Sequence, residues 1–399
     1  MKNRVFILLL ISIVAVFSLT SCGWLKTAPL GQQVMVGVAA VGIGAAVLNQ
    51  PVEETASPTT TTTASTTTTS TTTTSTATTT TTSTTTTSTT TSTLPTLWRI
   101  SGISESDPQV LLIVGDNGVA YYSNNAGDTW SVIDIGTTET IRWCSVSVYG
   151  RFFAGSNGYF SFYSNTNGWL YPNKFTNETI YDAENIIVGA NGLIGQPGDY
   201  EAILTGVSDV ALITSGTTNT LRDIRDPSAS TDTLFVVGDN GTILRSDNDG
   251  NEGSWRIITP ETGAITADLY KIDLDVYTPS GGLIVGAGGT LLTTNDSGET
   301  WSLVTNNYPY AELPDEDIYS FCDDSGFLIM VGANGTLYRA FVGNLNNSTA
   351  IDSGTTNNLY DVYINNSGDQ SAEVWAVGAN KTLIKSEDGG LSWDTITLP

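Results

Sequence analysis

From Thr96 to Pro399 the apolar residues fall into short runs such as Leu111-Leu112-Ile113-Val114, Leu234-Phe235-Val236-Val237 and Leu328-Ile329-Met330-Val331. Stretches rich in Gly, Asn, Asp and Thr separate them. Runs this short, bounded by turn-formers, predict β-strands rather than helices. Each run ends in a Val-Gly-x-x-Gly-like turn, with its first glycine at Gly115, Gly155, Gly189, Gly238, Gly286, Gly332 and Gly378. The successive spacings of 40, 34, 49, 48, 46 and 46 residues mark a repeat of seven units. Asn-Gly between two β-rich runs predicts a hairpin, because both residues tolerate positive φ.

Upstream of every turn lies a second mark, a Leu or Ile followed by an aromatic residue or arginine. The pairs are Leu97-Trp98, Ile141-Arg142, Ile180-Tyr181, Leu221-Arg222, Leu269-Tyr270, Ile318-Tyr319 and Leu359-Tyr360. They predict the innermost strand of each unit. A third mark follows some turns and has the form S/T-x-D-x-G-x-S/T-W. It reads Thr294, Asp296, Gly298, Trp301 in one unit and Ser386, Asp388, Gly390, Trp393 in another. In Ser123, Asn125, Gly127, Trp130 an amide stands in the aspartate place. Ser246, Asn248, Gly250, Trp255 carries an insertion, and Ser164 to Trp169 is a shortened copy. The units beginning at Ile180 and Ile318 lack it.

Four short strands in roughly 43 residues is the spacing of a propeller blade. The expected fold is therefore all-β: a seven-bladed β-propeller over 96–399 with four antiparallel strands per blade. The chain enters on an inner strand and leaves on an outer one. Each blade should be contiguous, and the ring should close by packing rather than by a swapped strand.

The preceding residues divide differently. Lys2 and Arg4 followed by an apolar run from Val5 to Phe17 predict an export signal over 1–21, too short to span a bilayer. Leu19-Thr20-Ser21-Cys22 resembles the lipobox of bacterial lipoproteins, which makes Cys22 the expected lipid-attachment site and places the protein on the cell envelope. Gly23 departs from the aspartate that resembles an inner-membrane retention signal, which leans toward the outer membrane. Residues 22–54 hold a glycine-broken apolar stretch from Val34 to Leu48, read either as membrane-associated or as a spacer. Residues 55–95 are almost only Thr and Ser and predict a disordered linker, open to O-glycosylation. It would reach about 35 Å as a coil and about 130 Å when stretched.

Charge narrows the chemistry. The formal charge of −25 becomes −27 once Lys2 and Arg4 leave with the leader, a field that repels nucleic acid. There is no histidine, which removes Ser-His-Asp and Cys-His nucleophile chemistry and His-ligated zinc. Cys144 and Cys322 fall on inner strands of blades across the ring, so two buried free thiols are expected rather than a disulfide. Asp247 to Glu252 has oxygen groups spaced like a calcium loop, but it lacks the central glycine and the distant glutamate and reads as an acidic surface turn. No metal and no cofactor are expected.

If the units are symmetric, Trp98, Arg142, Tyr181, Arg222, Tyr270, Tyr319 and Tyr360 fall at one level around the axis, with Arg99 and Lys271 one position further on. Aromatic and arginine side chains are the types enriched at binding hot spots. The ring is thus a candidate binding site, or else inter-blade packing.

The third mark resembles the Asp-box, or bacterial neuraminidase repeat. Combined with the Val-Gly turns, it makes residues 96–399 resemble the photosystem II assembly and stability factor family. That resemblance implies a seven-bladed propeller with a generic protein-binding role and a binding surface associated with arginines. Sialidases share the Asp-box, but their propellers have six blades, and the F/Y-R-I-P motif of many of them is met here only by Trp98-Arg99-Ile100-Ser101. The expected function is a non-catalytic, lipid-anchored binding or scaffold protein. Its partner would be an envelope protein, with a cell-wall glycan or a diverged glycan-hydrolase activity as alternatives.

Overall fold

The computed structural model describes residues 94–103, 109–147, 150–171, 174–197, 210–227, 232–274, 280–304, 315–324, 326–341, 344–365 and 372–399. The leader, Cys22, the apolar run at 34–48 and the Thr/Ser stretch through residue 93 lie outside the described residues. The described chain forms seven sheets, each of four antiparallel strands paired in chain order. It is a seven-bladed propeller, and among the described residues there is no α-helix.

The inner strands are Leu97–Ile103, Ile141–Ser147, Ile180–Ala183, Leu221–Arg225, Leu269–Leu274, Ile318–Asp324 and Leu359–Ile364 for blades 1 to 7. Most second strands, such as Leu234–Gly238 and Val374–Gly378, are buried along their whole length. A blade sandwiched between two others has no wet face, so its central strand reads as a continuous apolar run rather than an alternating one.

The core is seven cores. Each hydrophobic cluster lies between two successive blades. One joins Phe235 and Val237 of blade 4 to Ile272 and Trp301 of blade 5. Another joins Ile329 and Val331 of blade 6 to Val362 and Val374 of blade 7. The chain crosses six of these seams. The seventh, between blades 7 and 1, closes by packing of Tyr363, Trp375 and Leu398 on Leu97, Ile100 and Leu111. Hydrogen bonds repeat there as they do elsewhere. Gly118 N–H donates to Glu139 O in the next blade at 2.8 Å, and Lys381 N–H donates to Pro95 O at 2.7 Å.

In the Val-Gly turns the Asn and the following Gly both adopt positive φ, as in Asn117 (57°) and Gly118 (69°). The first glycine is needed for space: a Cβ on Gly115 would sit 2.2 Å from Thr96 O. The S/T-x-D-x-G turns join third and fourth strands and pin themselves. Asp388 accepts from the Leu391 and Ser392 N–H groups, both at 2.9 Å, and from the Ser392 hydroxyl at 2.6 Å. Asp296 does the same with Thr300, and Asn125 with Thr129 N–H. In blade 4 the Ser246 hydroxyl meets Ser254 instead. The glycine of each turn abuts the preceding blade: a Cβ on Gly298 would lie 2.5 Å from Phe235, and one on Gly127 2.4 Å from Trp375. The tryptophans follow. Trp301 is fully buried against blade 4, Trp130 meets Trp375 edge-on at 5.9 Å, and Trp255 and Trp393 lie against the seams before their own blades. Cys144 and Cys322 are buried free thiols.

Candidate functional site: the axial mouth

Every inner strand carries the same irregularity. The register against the second strand slips between its first and third residues, as between Leu97 and Arg99 or Leu359 and Asp361. The first residue, always Leu or Ile, is fully buried in a seam. The bulged second residue is re-aimed. In all seven blades it lines one cavity of about 280 Å³.

The seven second residues form a closed rosette. The Arg142 guanidinium lies over Trp98 at 3.6 Å and near Tyr181 at 5.8 Å. Arg222 sits between Tyr181 and Tyr270 at 5.5 and 5.2 Å. Tyr270, Tyr319, Tyr360 and Trp98 complete the circle with successive ring separations of 5.2, 5.0 and 4.3 Å.

The third residue of each inner strand makes the floor. Arg99, Asp223, Lys271, Ser320 and Asp361 line the cavity from below. Arg99 approaches Asp361 at 3.6 Å and Asp182 at 3.7 Å. Lys271 holds Asp223 at 3.2 Å, and the Ser320 hydroxyl donates to Asp361 at 2.8 Å. The aspartates also stitch blades together, each accepting a backbone N–H from the blade that follows. Asp182 takes Ile224 N–H, Asp223 takes Ile272 N–H and Asp361 takes Ile100 N–H. Burial opposes the charge of Arg99, but Asp361 and Asp182 together outweigh it and hold its pKa above the ordinary value. Lys271 is likewise held up: burial opposes its charge most, but Asp223, Asp182 and Asp361 together outweigh it.

The wall differs from the floor. Arg222 is paired with Asp239. Arg142 has no carboxylate within ion-pair distance among the described residues, and its Nε is a buried donor without an acceptor. Its pKa is lowered, by burial first and with the like charge of Arg222 contributing. The lining holds four cationic side chains against two carboxylates, an excess of two, in a chain with only 15 Lys and Arg and a net charge of −25. Chemically, such a lining has the charge and donors to hold a small anion within an aromatic collar.

The sequence brings Trp98, Arg142, Tyr181, Arg222, Tyr270, Tyr319 and Tyr360 to one level, and Arg99 and Lys271 lie beneath them. The residues of the S/T-x-D-x-G turns gather instead between third and fourth strands and take no part in the mouth. Asp247, in the calcium-like loop, is occupied by Arg245 at 2.6 Å and Arg256 at 3.3 Å. Sequence reasoning missed the floor aspartates. Their signal was present: Asp182, Asp223 and Asp361 each follow the marked pair directly, where an inner strand of a dry blade would turn apolar.

Fold and site together define a seven-bladed propeller with an aromatic–arginine axial mouth. No protein-family profile matches the chain, and no curated protein matches it. Among solved structures it is similar to YCF48 bound to D1 peptide, at 16% identity and TM-score 0.41, covering 76% of this chain and 81% of that one. It is also similar to YCF48 from Cyanidioschyzon merolae, at 15% identity and TM-score 0.40, covering 76% and 85%.

Proposed function

We propose that this protein is a non-catalytic binding or scaffold module of the bacterial cell envelope, lipid-anchored through Cys22. Its propeller docks an acidic or C-terminal segment of a protein partner at the axial mouth, in an assembly or scaffolding role. Arg142 carries the reading: a cation stacked on Trp98, with a buried Nε that nothing among the described residues satisfies. An unmet buried donor costs free energy in the empty protein, and a carboxylate arriving at it removes that cost. The cavity is smaller than a site for a drug-sized ligand and suits one or two residues of an extended segment. The leader and the Thr/Ser tether support display away from a membrane.

Three arginines and several tyrosines in one cavity also resemble the carboxylate clamp of a glycan hydrolase, the alternative reading. The details oppose it. No glutamate lines the cavity. Burial first, and then Asp317, pushes the Tyr319 hydroxyl up to about 12, away from a nucleophile's range. Arg99 and Arg222 are already engaged by aspartates.

The test is calorimetric titration of the full-length protein with N-acetyl-alanyl-phenylalanine and with its C-terminal amide. The carboxylate is expected to bind at least about tenfold more tightly than the amide, and Arg142→Ala to lose that preference. Equal affinity for the two probes, or an Arg142→Ala variant that folds and still discriminates, would overturn the reading.

A further inference from the structure

The wall of the mouth is not the same all the way round. Its arginines, Arg142 and Arg222, lie in blades 2 and 4, on either side of Tyr181. The remaining positions, in blades 5, 6, 7 and 1, are Tyr270, Tyr319, Tyr360 and Trp98. Their rings follow one another at 5.2, 5.0 and 4.3 Å with no cation between them. One arc of the cavity is thus cationic and the other aromatic.

Seam packing does not account for the aromatic arc. The residue before each ring, Leu269, Ile318, Leu359 or Leu97, already fills the seam and is fully buried. The rings themselves are only half-buried, and they line the cavity. Three of their polar ends are engaged outside it. The Tyr319 hydroxyl donates to Asp317 at 3.4 Å, the Tyr360 hydroxyl accepts from Asn358 at 3.2 Å, and Trp98 Nε1 donates to Asp116 at 2.7 Å. None of these partners lines the cavity, so what the arc offers to a ligand is chiefly ring surface. Below it the floor is already bonded: Lys271 to Asp223, and Ser320 and Arg99 to Asp361. An apolar ring set against the arc takes no floor bond away, and the floor cations favour a ring face above them.

A ligand that uses both arcs brings an anion and an apolar ring into one cavity of about 280 Å³. In an extended segment neighbouring side chains point to opposite faces, so an acidic residue beside an aromatic one cannot place both there. A terminal aromatic residue can, because its carboxylate and its ring hang on the same Cα. We propose that the axial mouth is specific for a polypeptide C-terminus that ends in an aromatic residue. The carboxylate lies toward Arg142, and the ring packs against Tyr270, Tyr319 and Tyr360. This inference rests on the docking reading given above and narrows its ligand to one terminal residue class.

The experiment is calorimetric titration of the full-length protein with N-acetyl-alanyl-phenylalanine, N-acetyl-alanyl-leucine and N-acetyl-alanyl-alanine, which share the terminal carboxylate. The phenylalanine probe is expected to bind at least about tenfold more tightly than the alanine probe and about threefold or more above the leucine probe. Tyr319→Leu keeps an apolar body in the wall but removes the ring, so its phenylalanine-to-leucine ratio should fall to about one. Should that variant fail to fold, proton NMR of the wild type decides. The phenyl resonances of the bound phenylalanine probe should move upfield under the ring currents of the arc, well beyond its acetyl signal. An alanine or leucine probe that binds as tightly as the phenylalanine probe overturns the aromatic preference and leaves docking intact. An unchanged ratio in folded Tyr319→Leu, or phenyl resonances that stay in place on binding, does the same. If none of the three probes binds, docking falls and the preference with it.

Discussion

At the residue scale the molecule is governed by where side chains find partners. Asp388 shows the favourable case. Slight burial works against its charge, but bonds from Ser392 and Ser386 outweigh it and bring the carboxyl down to about 2. A depressed folded pKa contributes stability above the ordinary carboxylate range and loses it as pH falls toward about 2. Asp388→Ala is therefore expected to cost about 1–2 kcal/mol at neutral pH, by urea unfolding, with the difference from wild type shrinking in acid. Equal loss at pH 7 and in strong acid would show that the carboxylate's bonds are not the cause. Arg142 is the opposite case, a buried donor left unmet among the described residues. Arg99 and Lys271 are also cations, at almost the same level, yet aspartates hold them, and that difference separates floor from wall.

At the scale of the element, two devices recur in the blades. One is the inner-strand bulge, which lets a single dipeptide send Leu or Ile into a seam and an aromatic or arginine to the axis. The other is the S/T-x-D-x-G turn, whose glycine touches the blade before it. Gly298 combines φ of 78° with a virtual Cβ 2.5 Å from the Phe235 ring. Gly298→Ala should therefore be strained both by backbone and by overpacking, at a cost of about 2–3 kcal/mol in thermal or urea unfolding. Gly216, at a similar φ of 80°, has nothing within reach of a Cβ. Gly216→Ala should thus cost only the backbone part, about 1 kcal/mol. If the two variants lose the same stability, contact with the preceding blade contributes nothing.

For the whole molecule the ring has one seam the chain does not cross. Trp375, 1% exposed, fills it together with Leu398 and the edge of Trp130. Trp375→Ala is expected to cost about 3–5 kcal/mol and to make the blade 1 and blade 7 amides exchange first in hydrogen exchange. Uniform loss of protection around the ring would contradict a seam of special weakness. The buried axial charges also set a pH course for the folded state. Burial pushes the Asp273 carboxyl up to about 6, against the pull of Arg225. A raised folded pKa means its contribution is full below the ordinary carboxylate range and is lost as pH rises through about 6. Melting temperature should thus be higher near pH 5 than near pH 7.5, and Asp273→Asn should flatten that slope.

How much of this was legible in the sequence follows from what each feature depends on. The blades were legible because glycine turns, Asn-Gly hairpins and the S/T-x-D-x-G boxes act within a few residues, through φ angles and local hydrogen bonds. The level of the rosette was legible too, since a repeat copies position: Trp98 and Tyr360 are far apart in sequence but equivalent in their blades. What symmetry cannot carry is pairing across the axis. Arg99 of blade 1 approaches Asp182 of blade 3 and Asp361 of blade 7, while Arg142 of blade 2 has no carboxylate within ion-pair distance among the described residues, and no spacing along the chain distinguishes them. The sequence determined the ring and the residue types that face its centre. Only the closed ring decided which charges cancel, because burial and distance between non-neighbouring blades exist only once the seventh seam has formed.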